Sequence, residues 1–151
     1  MAIEAALFIP VVVMLIVGTV QFGKVTYTNY ILTKMVYAAG RQLAAQQGVN
    51  YCNADDQKIA AAIAFAVNDP QGQSILTTPP TMQIEAHCSD GNGGTVPCDT
   101  GSCDALSISP RPQYIRVTIP DGYPMTIRVP ALNPVEIRLS PSALVPAGGG
   151  S

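Results

Sequence analysis

"MAIEAALFIPVVVMLIVGTVQFGK" occupies residues 1–24. From Ala5 to Val20 only Pro10, Gly18 and Thr19 are not strongly apolar, and no residue is charged. With Gln21, Phe22 and Gly23 the run reaches the roughly 20 residues that a membrane span needs. Two residues fit such a span badly. Glu4 sets a carboxylate near its start, and a charge at the bilayer centre costs about 2.5–3.5 kcal/mol on insertion scales. Pro10 removes one backbone hydrogen bond, at about 3 kcal/mol in a helix interior. A segment that first sits in lipid and later packs in a protein core has a use for both. Glu4 pairs well with a positive group in a helix bundle, and the α-amino group of a chain cut just upstream is such a group. The alternative is that Glu4 sits at the headgroup boundary or favours the positive end of the helix dipole. Pro10 frees the carbonyl of Ala6, and Gly18 weakens the helix eight residues later, so a bend or loosened turn is expected between them. No Lys or Arg precedes the run, although a basic flank normally stands on the cytoplasmic side of such a segment. The abrupt start reads as removal of a basic leader. An ordinary single-pass anchor is the other reading.

The helix does not stop where the apolar run stops. "KVTYTNYILTKMVYAAGRQLAAQQG" continues without proline to Gly48. Val25, Thr28, Leu32, Met35, Val36, Ala39 and Leu43 fall at three- and four-residue steps and form one stripe. Gly48 and Asn50 are stop signals. A helix over 3–47 is about 67 Å long, roughly twice the hydrocarbon core of a bilayer. Half of it therefore stands outside the membrane, and its stripe needs cover from its own head and from neighbouring helices.

The 151 residues suit a long helix and one small domain. Charged residues make up 12%, against about 25% in soluble domains, and the net charge is −2. The 8 basic residues are scattered, so no nucleic-acid partner is implied. Cys52, Cys88, Cys98 and Cys103 all follow the apolar run, an even count that reads as two disulfides in an exported chain. One bridge is expected to tie Cys52, at the end of the long helix, to the head.

"NADDQKIAAAIAFAVNDP" is expected to form a second helix, capped by Asn53, with Asp55 and Asp56 in its first turn and Pro70 beyond its end. Ile59, Ile63, Ala66 and Val67 lie on one face, which could pack on a sheet. "TMQIEAHC", "YIRVTI", "MTIRV" and "VEIRL" alternate with period two and read as strands, punctuated by Pro120, Pro124, Pro130 and Pro134, with a turn at Asp121-Gly122. The tail "SPSALVPAGGGS" shows no period and is expected to be extended or disordered, or to lie on a head as an added strand. The loop "CSDGNGGTVPCDTGSC" has little apolar surface and needs staples. His87, Cys88, Cys98 and Cys103 match no common zinc spacing, and Asp90, Asn92, Asp99 and Asp104 lack the spacing of a calcium loop. No metal or cofactor is assigned. His87 is the sole histidine, there is no phosphate loop and no Gly-x-Ser-x-Gly elbow, so no catalytic residue is assigned either.

The opening residues resemble the type IV pilin-like proteins, most closely the TadE-like pseudopilins of tight-adherence (Tad) pilus systems. "AIEAALFIPVVVMLIVGTVQFGK" is similar to the family's small residue, glutamate, apolar residues, proline, aliphatic run and Gln-Phe-Gly-Lys exit. Glu4, Pro10, Gln21, Phe22, Gly23 and Lys24 stand in matching places, and "YAAGRQLAAQQG" matches the segment that follows. The family's glutamate is usually the fifth mature residue and here it is the fourth, so the mature start lies one residue upstream or the register differs. The resemblance is specific over about 1–48. It implies a non-enzymatic structural subunit of an extracellular filament, held in the inner membrane before assembly and packed through its N-terminal helix against copies of itself or related pilins. Glu4, Pro10, Gly18, Phe22 and Gly23 are the assembly residues this implies. The division is 1–48 filament-core helix, 49–140 cysteine-containing α+β head with a short helix and an antiparallel sheet, and 141–151 tail. The alternative is a monomeric membrane-anchored binding protein.

Overall fold

The computed structural model describes residues 2–46, 49, 56–69, 75–89, 94–98, 114–129 and 133–147. The fold is α+β, as expected: a long N-terminal helix, a short second helix and antiparallel sheets. Helix α1 runs unbroken from Ala2 to Ala44 with Pro10 inside it. At 1.5 Å per residue it is about 64 Å long. Thr28, Ile31, Leu32, Met35, Val36, Ala39 and Leu43 are buried along one side. The expected stripe misses Ile31 and overstates Val25, which is half-buried. The helix closes with the Gln46 N–H on the Leu43 carbonyl at 2.9 Å, a tighter final turn. Gly48 and Asn50 lie outside the described residues.

Helix α2 spans Gln57–Val67. Its cap is Asp56, whose carboxylate accepts the Lys58 N–H at 2.8 Å. This corrects two expectations. Asn53 lies outside the described residues and too far upstream to cap, and Asp56 precedes the first turn rather than sitting in it. A further correction concerns packing: α2 lies on α1, not on a sheet. Ile59, Ala62 and Ala66 form its buried face, with Ile63 and Val67 partly covered. Lys34 of α1 reaches Asp69, just past α2, at 2.6 Å.

The main sheet has four strands: β1 (Gln83–Ser89), β2 (Thr95–Pro97), β3 (Tyr114–Thr118) and β6 (Ser142–Pro146), in the order β2-β1-β3-β6. Ile84 and Ala86 of β1 face Val117 and Ile115 of β3. These in turn face Ala143 and Val145 of β6. That apolar face lies on the C-terminal half of α1, where β3 and β6 meet the helix. Gly40 lies at this contact. A β-carbon there would lie 2.7 Å from Val145 Cγ2.

The remaining strands, β4 (Tyr123–Ile127) and β5 (Val135–Leu139), pair only with each other. "MTIRV" and "VEIRL" are thus strands, but not strands of the main sheet. Thr118 pairs with Ser142, and the next pair is Tyr123 with Leu139. Four residues (119–122) therefore oppose two (140–141), and the chain makes one long ribbon with a kink between β3–β6 and β4–β5. The kink is a turn in which the Gly122 N–H meets the Ile119 carbonyl at 3.1 Å. Gly122 has φ +66°, and a β-carbon would meet Ser140 Oγ at 2.7 Å, so this position needs glycine. The turn expected at Asp121-Gly122 is this one.

Within 141–151, residues 142–146 form strand β6 of the head sheet. Its period of two is short: Ala143 and Val145 point inward while Ser142, Leu144 and Pro146 are exposed. Pro146 at its end and Pro141 before it hide that alternation in the sequence.

Candidate membrane and assembly surface

Two halves of α1 have opposite fates. From Thr28 onward one side of the helix is covered, by α2 and by β3 and β6. Before Gln21 it is bare. Phe8, Ile9, Val11, Val13, Met14, Leu15, Ile16 and Val20 are all exposed, between 47% and 69%. A soluble monomer does not leave so long an apolar surface uncovered. The helix from Phe8 onward is long and apolar enough to cross a membrane, with a mean hydropathy of 1.9 in its best window, none of which is buried. From Ala2 to Val20 the backbone rises about 28 Å, close to the hydrocarbon thickness of a bilayer.

Two threonines, one in the bare run and one just beyond it, bond to the helix's own backbone. Thr19 Oγ1 donates to the Leu15 carbonyl at 2.7 Å, and Thr26 Oγ1 to the Phe22 carbonyl at 3.0 Å. A hydroxyl bonded four residues back adds no unpaired donor to an apolar setting.

The expected assembly residues are spread along the helix rather than gathered at one point. Glu4 is in the helix, and its side chain lies outside the described part of the structure. Pro10 and Gly18 are exposed, and helical structure continues through both. A β-carbon at Gly18 or Gly23 would meet nothing within 4 Å. These glycines present shallow, open backbone to whatever packs there. Phe22 is 73% exposed, the most exposed large apolar side chain described.

Where the bare half ends, the head begins with a contact that the sequence does not signal. Gln21 Nε2 donates to the Arg128 carbonyl at 3.0 Å. The ribbon of β4 and β5 thus reaches down α1 to the last residues of the apolar run. Above it Tyr27 and Tyr30 stack at 6.4 Å between ring centroids, both exposed. Tyrosines at this height are typical of a membrane–water boundary. Lys34 holds its charge more strongly than a free lysine, because Asp69 accepts its proton in a hydrogen bond and adds an attractive charge.

Residues 1–41 match the family model of TadE-like proteins. The TadE-like segment thus covers the whole bare run and most of the buried stripe, and it stops before the head. TadE-like proteins are Tad-pilus-associated subunits, structural rather than enzymatic. No curated protein and no solved structure matches the chain.

The head carries one described disulfide, Cys88–Cys98, with Cα atoms 5.0 Å apart. It closes the β1–β2 hairpin, whose Cys98 N–H also bonds the Ala86 carbonyl at 3.0 Å. Cys52 and Cys103, like Asp90, Asn92, Asp99 and Asp104, lie outside the described residues. His87 is buried in β1 beside this bridge, with Nε2 3.5 Å from Glu85 Oε2. No group of three or more metal-binding side chains comes together among the described residues.

Proposed function

We propose that the chain is a non-enzymatic pilin-like subunit of an extracellular Tad pilus, held in the inner membrane before assembly and packed into the filament through the first half of α1. The observation that carries this reading is the bare apolar half of a TadE-like helix, about one bilayer long, ending where the head begins. Lipid covers that surface before assembly. Helices of other copies or of related pilins cover it afterwards, and the open backbone at Gly18 and Gly23 lets them come close. The exchange of lipid for protein makes Glu4 decisive. In a dry helix bundle an unpaired carboxylate costs several kcal/mol, so Glu4 pairs with an N-terminal amine of its own or an adjacent chain.

The test separates insertion from assembly. Glu4→Gln keeps the size and removes the charge; Glu4→Ala removes both. Each is expected to enter the membrane fraction as the parent does and to be depleted from filaments sheared off the cells. Equal recovery of parent and variants in sheared filaments contradicts the role of Glu4. Chain found in membrane fractions alone, with none in sheared material, contradicts the filament reading and supports the membrane-anchored binding protein.

A further inference from the structure

The β4–β5 ribbon takes no part in the main sheet, yet it is tied to α1 at its far end. The bond from Gln21 to the Arg128 carbonyl fixes the height of that end, at the last residues of the apolar run. Lys24 stands three residues on from Gln21, on the same side of the helix. Lys24 lines one shallow groove and Arg128 another, and the two share Thr28, Ile75 and Met125.

Both cations are exposed, and neither has an ion-pair partner among the described residues. The next basic residue along each element is engaged. Lys34 is taken by Asp69, and Arg138 by Glu136 at 3.5 Å and by the Asp121 carbonyl at 3.1 Å. The ribbon's own carboxylate, Glu136, is thereby engaged by Arg138. Two unpaired cations therefore sit at the end of a bilayer-length apolar helix, in a chain whose net charge is −2.

We propose that the end of the ribbon is a foot that rests on the membrane surface, with Lys24 and Arg128 holding the phosphates of anionic phospholipids in the leaflet on the head's side. The inference rests on the membrane-anchored stage of the reading above. Its occupant follows from two features: the site is continuous with the lipid-facing run, and its charge is opposite to that of anionic headgroups. The foot fixes how far the helix is sunk in lipid and keeps the head upright before assembly. Each cation near an anionic surface strengthens binding about 5-fold.

The test uses the full chain in vesicles of phosphatidylcholine alone, and in vesicles with about one third phosphatidylglycerol. Hydrogen exchange is read at the amides of 123–127 and 135–139, with 114–118 as an internal measure of head folding. The expected result is slower exchange of the ribbon in the anionic vesicles, lost in high salt. Lys24→Gln and Arg128→Gln should each remove about 5-fold of that protection, with 114–118 unchanged. Equal ribbon exchange in the two vesicles overturns the proposal, and so does protection that survives high salt. That salt comparison needs no variant, so it decides the matter even if a variant disturbs the head. Flotation separates the two readings. A chain that floats with both vesicles but shows lipid-independent ribbon exchange sinks the foot alone. A chain that floats with neither sinks the membrane reading as well.

Discussion

Substituting Gly40 by alanine probes the junction on which the head depends. The added methyl would lie 2.7 Å from Val145 Cγ2 and 3.4 Å from Val117 Cγ2. Bringing the nearer contact to the farther distance needs a shift of 3.4 − 2.7, about 0.7 Å. Val145 cannot simply turn away. It is β-branched, it is 4% exposed, and its strand is held in register against Ile115. Overpacking of this kind costs about 1–3 kcal/mol. Alanine in place of glycine inside a helix returns about 1 kcal/mol. The net expectation is a loss of about 1 kcal/mol, or about 4–8 °C in the unfolding midpoint of a head of this size. The assay is thermal unfolding of the full chain in detergent, for Gly40→Ala, Val145→Ala and the double variant. Val145→Ala alone costs about 2 kcal/mol through its cavity. In the double variant the methyl at 40 occupies that space, so the two losses should fall short of additivity by about 1–3 kcal/mol. A gain in stability from Gly40→Ala, or strict additivity, would refute the placement of β6 against α1.

Deleting residues 141–151 removes β6 and with it Val145, so the head should unfold at lower temperature and become open to protease. A deletion that leaves 83–127 as protected as in the parent would contradict the pairing of β6 with β3. The mass of the unreduced chain should fall short of the reduced chain by four hydrogens, with Cys88–Cys98 recovered as one linked peptide and Cys52–Cys103 as the other; free thiols at Cys52 and Cys103 would reject the second bridge. Removing Cys88–Cys98, which spans 10 residues, should cost the head about 3 kcal/mol in chemical unfolding. The Lys34–Asp69 pair should add a small stabilisation with a definite pH signature. The folded-state pKa of Lys34 is raised, so its contribution is complete below the unfolded value of 10.5 and disappears as pH rises through the folded value. Unfolding midpoints of the parent and of Asp69→Asn should therefore converge only above that pH; convergence already at neutral pH would show the pair contributes nothing.

Long-period features were legible in the sequence, and local exceptions were not. The helix and its stripe could be read because 3.6-residue spacing persists from Thr28 to Leu43. The alternation of Ile115, Val117 and Ile119 placed β3 correctly, since all three are buried. Two things escaped for physical reasons. Strand β6 is five residues long and ends in proline, so its two inward residues gave too little alternation to count. The separation of β4–β5 from the main sheet depends on two extra residues at 119–122, and spacing alone does not show which strands pair. At the candidate surface the bare apolar run was legible from composition. The Gln21–Arg128 contact was not, because it joins residues 107 apart through a side-chain amide and a backbone carbonyl. Asp55 and Asp56 were both acceptable near the start of α2, and only the backbone decides that Asp56 is the cap.

The central claim is that the bare half of α1 trades lipid for other helices. A photo-crosslinking residue placed at Leu15, which is 66% exposed, reads that exchange directly, with Leu32, fully buried in the head's own core, as the control. In sheared surface filaments the account predicts that Leu15 joins the chain to another pilin-like subunit and that Leu32 gives only crosslinks within one chain. Leu15 adducts confined to lipid in the membrane fraction, with no subunit-to-subunit product in any surface fraction, would contradict it.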